Sequence, residues 1–251
     1  MDNQRIAVFG ANGATGREVV RHALRGGHTV VAIDRALPQV DDRIEGVVYR
    51  QADVLEDDLS EMIKGCDSVI SALGVAFSPS NAVSPPPLYT DGTSNILNGM
   101  QRAGIDRIAV ISAAFVIDQP NLPKWFKLTV IPGLHNILQQ MKDMEALLEG
   151  RAGLRWTAVR PGWLIDKPAS GALLVENEHL PEEAFRCRVG DLGAFLVECA
   201  QDDQYVLAKP AVGAPEDEKF ESPLALGAEF AGLSALRHDC AGGFAKVGLK
   251  R

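Results

Sequence analysis

A short apolar strand running through a glycine-rich turn into a helix, all within the first 25 residues, constrains this chain more than any other feature. Ile6-Ala7-Val8-Phe9 reads as a buried strand and Gly10-Ala11-Asn12-Gly13-Ala14-Thr15-Gly16-Arg17 as the turn; Glu18-Val19-Val20-Arg21-His22-Ala23-Leu24 has helical spacing. Glycines let the chain turn tightly and let a ligand approach the backbone without a Cβ in the way. At the helix start, unpaired N–H groups and the helix dipole both favour an anion. The arrangement suits a pyrophosphate. Its Gly-x-x-Gly-x-x-Gly spacing differs from the more familiar Gly-x-Gly-x-x-Gly, and a turn of this kind can be purely structural. Its place at the first strand, with Asp34 eighteen residues past Gly16, favours the nucleotide reading.

The alternation continues along the first half of the chain, which is the pattern of a parallel sheet flanked by helices. Further strands are expected at Thr29–Ile33, Val47–Arg50, Ser68–Leu73, Ile108–Ile111 and Trp156–Val159. Helices are expected near Asp57–Ile63, Thr90–Ala103, Asn136–Leu148 and Asp191–Cys199. The fold class is therefore α/β, a doubly wound parallel sheet of Rossmann-like type. Residues 75–89, rich in Pro and Ser, read as a loop after the fourth strand, at the sheet edge where ligands bind in such folds. Residues 118–133, with Pro120, Pro123 and Pro132 around Trp125 and Phe126, read as a second loop able to close as an apolar lid. The pattern weakens after about Pro210. Residues 1–210 are expected to form one unit with its substrate loops, and 211–251 an appendage, packed as a helix or partly disordered.

With 251 residues, the chain is long enough for a sizeable core. Its net charge of −8 argues against a general nucleic-acid binder, which would show a basic face. The longest apolar run, Ile108 to Ile117, is too short to span a bilayer, and the polar Met1–Arg5 is no signal peptide. Cys66, Cys187, Cys199 and Cys240 are scattered without metal-like pairing. The expectation is a cytoplasmic protein without a metal, a monomer or homodimer, whose partner is a small-molecule substrate.

The glycine turn, Asp53, Ser71-Ala72-Leu73-Gly74, Ser112 and Trp156-Thr157-Ala158-Val159-Arg160-Pro161-Gly162 occur in one order. That set resembles the atypical short-chain dehydrogenase/reductase group called NmrA-like, or NAD(P)-binding, and within it the biliverdin reductase B/flavin reductase type. The resemblance covers roughly residues 5–210. It implies that Gly10, Asn12, Gly13, Ala14, Thr15 and Gly16 hold a pyrophosphate and that Asp53 and Val54 border an adenine. Ala72, Leu73 and Gly74 would line the nicotinamide-side ribose, with Pro161 and Gly162 near the carboxamide. Read without the resemblance, Asp53 is equally a turn or helix-capping residue.

The end of the second strand bears on cofactor choice. Asp34 would accept hydrogen bonds from the adenosine ribose hydroxyls and favour NAD, whereas Arg35 and Arg17 would pair with a 2′-phosphate. If Asp34 turns outward, the two arginines prevail; NADP is the expected cofactor and NAD the alternative.

The main short-chain dehydrogenase families pair a serine with Tyr-x-x-x-Lys, whose tyrosine delivers a proton to the substrate oxygen. Tyr49, Tyr89 and Tyr205 are the only tyrosines, and none lies on the Asn136–Leu148 helix. In one register Lys142 takes the lysine position and Leu138 the tyrosine position; in the other, Ile137 takes the tyrosine position. Candidate catalytic residues are Ser112, as a hydrogen-bond donor or as a strand-end serine bonded to backbone, Lys142, and His135, which can equally be an exposed helix-start histidine. Phe115, Trp125, Phe126 and Trp163 are candidates for stacking on a planar substrate, or for ordinary lid packing. The expectation is an NAD(P)H-dependent reductase that passes hydride to a planar or conjugated molecule (flavin-, quinone- or enone-like) without a tyrosine general acid. The rival is a non-catalytic redox sensor of NmrA type.

Overall fold

The computed structural model describes residues 3–75 and 78–217. In chain order it contains β1 (Arg5–Phe9), α1 (Ala14–Arg25), β2 (Thr29–Asp34), β3 (Val47–Gln51), α2 (Ser60–Ile63), β4 (Ser68–Ser71), α3 (Pro79–Val83), α4 (Thr93–Ala103) and β5 (Arg107–Ile111). Next come α5 (Lys124–Gly133), α6 (His135–Glu149), β6 (Arg155–Pro161), β7 (Trp163–Ile165), β8 (Leu174–Asn177), β9 (Arg186–Arg188), α7 (Val189–Gln201) and β10 (Pro210–Gly213).

The main sheet has the order β3-β2-β1-β4-β5-β6-β10-β8. All its pairings are parallel except that of β10 with β8. The strand order runs outward in opposite directions from β1 and β4, and that switch point opens a crevice at the carboxyl ends of the strands. Side-chain alternation separates two cores. Ala7 and Phe9 of β1 face a layer that includes Ile96, Met100, Met141 and Met144 from α4 and α6. Ile6 and Val8 face the opposite layer, with Val19 and Val20 of α1 and Leu192, Phe195 and Leu196 of α7. The period of two within a strand buries both faces.

Helices α1 and α7 pack so closely that a Cβ on Gly193 would lie 2.7 Å from Cβ of Glu18. Buried Arg107 ties β5 to its neighbours. It donates to the carbonyls of Ile108 and Arg155 and to Thr157 Oγ1, and to the Cys199 carbonyl at the end of α7. Burial lowers its pKa to about 10.

Both loops expected from proline content contain helix. Ser78 caps α3 through its Oγ, which accepts from Asn81 N–H, and a proline stands at the first helical position, where its missing N–H costs nothing. Pro123 likewise precedes the first residue of α5, while Pro132 lies in its last turn and the chain breaks at Gly133 before α6. These prolines mark helix ends. Helix α2 starts at Ser60 rather than Asp57, and Thr90–Gly92 forms part of a π-turn, Leu88–Gly92, ahead of α4. The boundary expected at 210/211 cuts through β10, whose Ala211 and Val212 pair with Arg160 and Pro161 of β6. The remainder of the expected appendage, residues 218–251, and Cys240 with it, lies outside the described residues. Among the described residues no helix is long and apolar enough to cross a membrane, and no cluster of His, Cys, Asp or Glu suits a metal ion.

Candidate functional site

The crevice at the carboxyl edge holds a cavity of about 1050 Å³. Its floor is the turn after β1. Gly10 takes φ +72°, and a Cβ there would lie 2.6 Å from the Ala72 carbonyl oxygen. A Cβ on Gly16 would lie 2.1 Å from the Gly10 carbonyl oxygen. Both glycines are therefore demanded by close backbone approach. The first helical hydrogen bond runs from Arg17 N–H to the Gly13 carbonyl, so the N–H groups of Ala14, Thr15 and Gly16 precede it. No side chain caps this terminus and no acidic residue stands in its first turn. Such a terminus accepts a pyrophosphate, and the residues present fit that group.

Of the expected nucleotide-binding residues, Gly10, Asn12, Gly13, Ala14, Thr15, Asp34, Arg35, Val54, Ala72, Leu73, Gly74, Ser112, Pro161 and Gly162 all line this one cavity. Gly16 lies buried beneath the turn, and Arg17 is exposed outside the cavity wall. Asp53 is also outside the wall. Its carboxylate accepts from Leu55 N–H and its own N–H donates to Asp57; it is a turn residue, and Ala52 and Val54 line the cavity on either side of it.

Asp34 does not turn outward. Its Oδ2 accepts from Asn12 N–H at 2.9 Å and its Oδ1 from Arg35 N–H at 2.8 Å, which ties the end of β2 to the glycine turn. With Arg17 outside, one arginine faces one carboxylate at this end of the cavity. The condition on which NADP was expected is not met.

At the other end the wall is apolar, with Leu88, Phe115, Leu134, Ile137, Leu138, Met141 and Trp163. Leu134, which precedes α6, and Ile137, Leu138 and Met141 within it recur at helical spacing and turn one face to the cavity. Ile137 and Met141 stand four residues apart on that face, so the register that begins at Ile137 is the one facing the site. Both positions of the Tyr-x-x-x-Lys pair are apolar. Lys142 and His135 are exposed and outside the cavity wall, contrary to their candidacy as catalytic groups.

Ser112, at the end of β5, lines the cavity but donates its proton to Glu145 Oε1 at 2.7 Å. It therefore offers lone pairs to a ligand, as an acceptor and not the donor that was expected. Glu145 is itself buried. Arg160 donates to its two oxygens through Nε at 2.9 Å and Nη2 at 2.6 Å, and Lys209 Nζ lies 3.4 Å away. Burial by itself pushes the Glu145 carboxyl up, but the hydrogen bonds of Arg160 and Ser112 and the charges of Arg160 and Lys209 together bring it below its usual value. The sequence contained these partners; nothing in their spacing showed that α6, β5, β6 and the segment before β10 meet there.

Phe115 and Trp163 line the cavity, but Trp125 and Phe126 do not. Phe126 is fully buried behind the wall, with its ring 5.1 Å from Phe115, 5.4 Å from Trp163 and 4.9 Å from Phe185. Trp125 packs edge-on against it at 5.7 Å. These two rings brace the wall, as ordinary lid packing would have them do.

Comparisons with known proteins agree with this geometry. Residues 10–203 match the NAD(P)H-binding family, and the chain belongs to it. An uncharacterised chloroplastic protein of Arabidopsis thaliana is 28% identical over 188 residues, 70% of this chain. The match spans 64% of that relative's length. The fold is shared with a protein from Streptococcus pneumoniae described as an NADH-flavin reductase, at TM-score 0.67 and 22% identity, covering 84% of this chain and all of that one (100%). It is shared too with a short-chain dehydrogenase/reductase of Veillonella parvula in complex with NADP, at TM-score 0.64 and 17% identity, covering 85% of this chain and 96% of that one. The chain is an NAD(P)H-binding protein of Rossmann-like fold.

Proposed function

We propose that this protein is an NAD(P)H-dependent reductase that delivers hydride to a planar or conjugated small molecule of flavin, quinone or enone type. The observation that carries the reading is the continuity of one cavity, from the glycine turn past Ser112 to an apolar chamber walled by Phe115, Ile137, Leu138, Met141 and Trp163. The bound nicotinamide supplies the hydride. The chain's own residues hold the dinucleotide through the first turn of α1, present Ser112 as an acceptor at the end of β5, and exclude water with aliphatic and aromatic side chains. Orientation and a dry pocket are what hydride transfer to a conjugated ring requires of a protein. No helix-borne tyrosine acid takes part.

On cofactor choice, Asp34 in the cavity wall supports NAD and Arg35 beside it supports NADP. The position of Asp34 moves the balance toward NAD. A cytoplasmic setting belongs to this reading, with Cys66, Cys187 and Cys199 as free, buried thiols.

The second reading is a redox sensor of NmrA type, and the apolar Ile137 and Met141 in place of an acid–base pair favour it. Fluorescence titration with NADH and NADPH, followed by a screen of flavins, quinones and enones for cofactor oxidation, separates the two. Turnover on any of these acceptors supports the reductase. Tight cofactor binding with no turnover on any of them favours the sensor.

A further inference from the structure

A catalytic role for Tyr89 rests on the reductase reading, which leaves one proton unassigned. When a neutral carbonyl acceptor takes hydride at carbon, an electron pair moves to its oxygen, and that oxygen then requires a proton. Ser112 has committed its proton to Glu145, and His135 and Lys142 lie outside the cavity wall. Of the ionisable groups in the wall, Asp34 and Arg35 belong to the end of β2, while Asp166 and Lys167 come just after β7. The remaining one is Tyr89.

Tyr89 lies in the π-turn Leu88–Gly92 and is 4% exposed. The turn is pressed onto the carboxyl edge of the sheet: a Cβ on Gly92 would lie 3.1 Å from Val54 Cγ2 and 3.8 Å from Leu73 Cδ1. The Tyr89 hydroxyl oxygen accepts a hydrogen bond from Val75 N–H at 3.3 Å, one residue beyond Gly74 of the cavity wall. That bond occupies a lone pair and leaves the phenolic proton free, and among the described residues no acceptor takes it. Burial raises the phenol's pKa, so it stays protonated at neutral pH. The turn packs beside α6, and Tyr89 shares one apolar cluster with Ile137, Leu138 and Met141 of that helix.

We propose that Tyr89, from the π-turn packed beside α6, donates the proton to the oxygen of a neutral carbonyl or enone acceptor. A new C–H bond forms on the acceptor as the donor C–H bond of the reduced nicotinamide breaks. The acceptor's π pair moves to oxygen, the Tyr89 O–H bond breaks to protonate it, and the phenolate recovers a proton from water. Solvent is thereby the second proton source, not the first.

Two measurements with Tyr89→Phe, which keeps the ring, test this. The first needs no turnover: the infrared carbonyl stretch of bound 9-fluorenone lies lower in the wild type than in the variant, because Tyr89 donates a hydrogen bond to it. Equal frequencies overturn the proposal. The second compares neutral aryl enones and quinones with 10-methylacridinium, a cation that takes hydride without a proton. The variant loses about a hundredfold or more on the neutral acceptors and stays within about twofold on the cation. Equal losses on both, no loss on either, or a wild type that reduces the cation but no neutral acceptor would overturn it. A wild type that binds cofactor and fluorenone yet reduces neither class brings down the reductase reading itself, and the role of Tyr89 with it.

Discussion

Replacing Glu145 with alanine removes the one hydrogen-bond partner that Arg160 has among the described residues. Arg160 Nε and Nη2 donate only to this carboxylate, Nη1 has no partner, and the side chain is 4% exposed. Lys209 is less affected, since it keeps Glu149 at 2.6 Å, but the Ser112 hydroxyl loses its acceptor. Leaving one charge of a buried pair uncompensated costs about 3–5 kcal/mol, and the lack of any substitute for Arg160 places this variant in the upper part of that range. For a chain of this size the loss lowers Tm by about 6–20 °C. Glu145→Gln retains an acceptor for one donor and should lose less, about 2 kcal/mol. The double variant Glu145→Leu/Arg160→Met removes both charges and should recover most of the loss. Urea denaturation with far-ultraviolet circular dichroism gives the three values. A loss below about 1 kcal/mol for Glu145→Ala, or a double variant no more stable than the sum of its single changes, would refute the uncompensated-charge argument.

The same carboxylate gives a pH prediction. Its folded pKa is below the unfolded value, so its contribution is fully present above about pH 4.3 and fades as pH falls through the folded value. The Tm gap between wild type and Glu145→Gln should narrow below that pH; a gap that widens in acid contradicts the assignment. Gly16→Ala drives a Cβ into the Gly10 carbonyl oxygen at 2.1 Å, backbone against backbone. It should destabilise by about 1–3 kcal/mol and abolish NADH and NADPH binding by fluorescence titration. Asp34→Ala should weaken NADH binding relative to NADPH, and Arg35→Ala should do the reverse; an Arg35→Ala variant with unchanged NADPH affinity removes the arginine from cofactor choice. Burial pushes the thiols of Cys66 and Cys187 up and that of Cys199 up to about 12. All three should resist Ellman's reagent at pH 8 in the native state and react promptly in urea.

Some of the architecture is written locally. The strand–turn–helix at Gly10–Gly16 was legible because glycine spacing and apolar runs act within a few residues, and the central strands were legible because buried parallel strands are continuous apolar segments. The short strands β7 to β10 were not, because three or four residues carry no period and exist only by pairing with distant partners. Pro79, Pro123 and Pro132 read as loop although they start or end helices, since proline is compatible with a first turn and incompatible with a helix interior.

By itself, then, the sequence determined a doubly wound sheet, a dinucleotide seat at the first helix, and the absence of a tyrosine on α6. Those depend on residue type and near-neighbour spacing. Only the tertiary structure decided that Asp34 is tied to Asn12 N–H, that Lys142 faces solvent, that the Ser112 proton belongs to Glu145, and that Tyr89 lines the cavity from a turn beside α6. Each of these is the orientation of a side chain relative to distant parts of the chain or to solvent. Orientation of that kind is settled by packing and by the satisfaction of buried polar atoms, which no local pattern encodes.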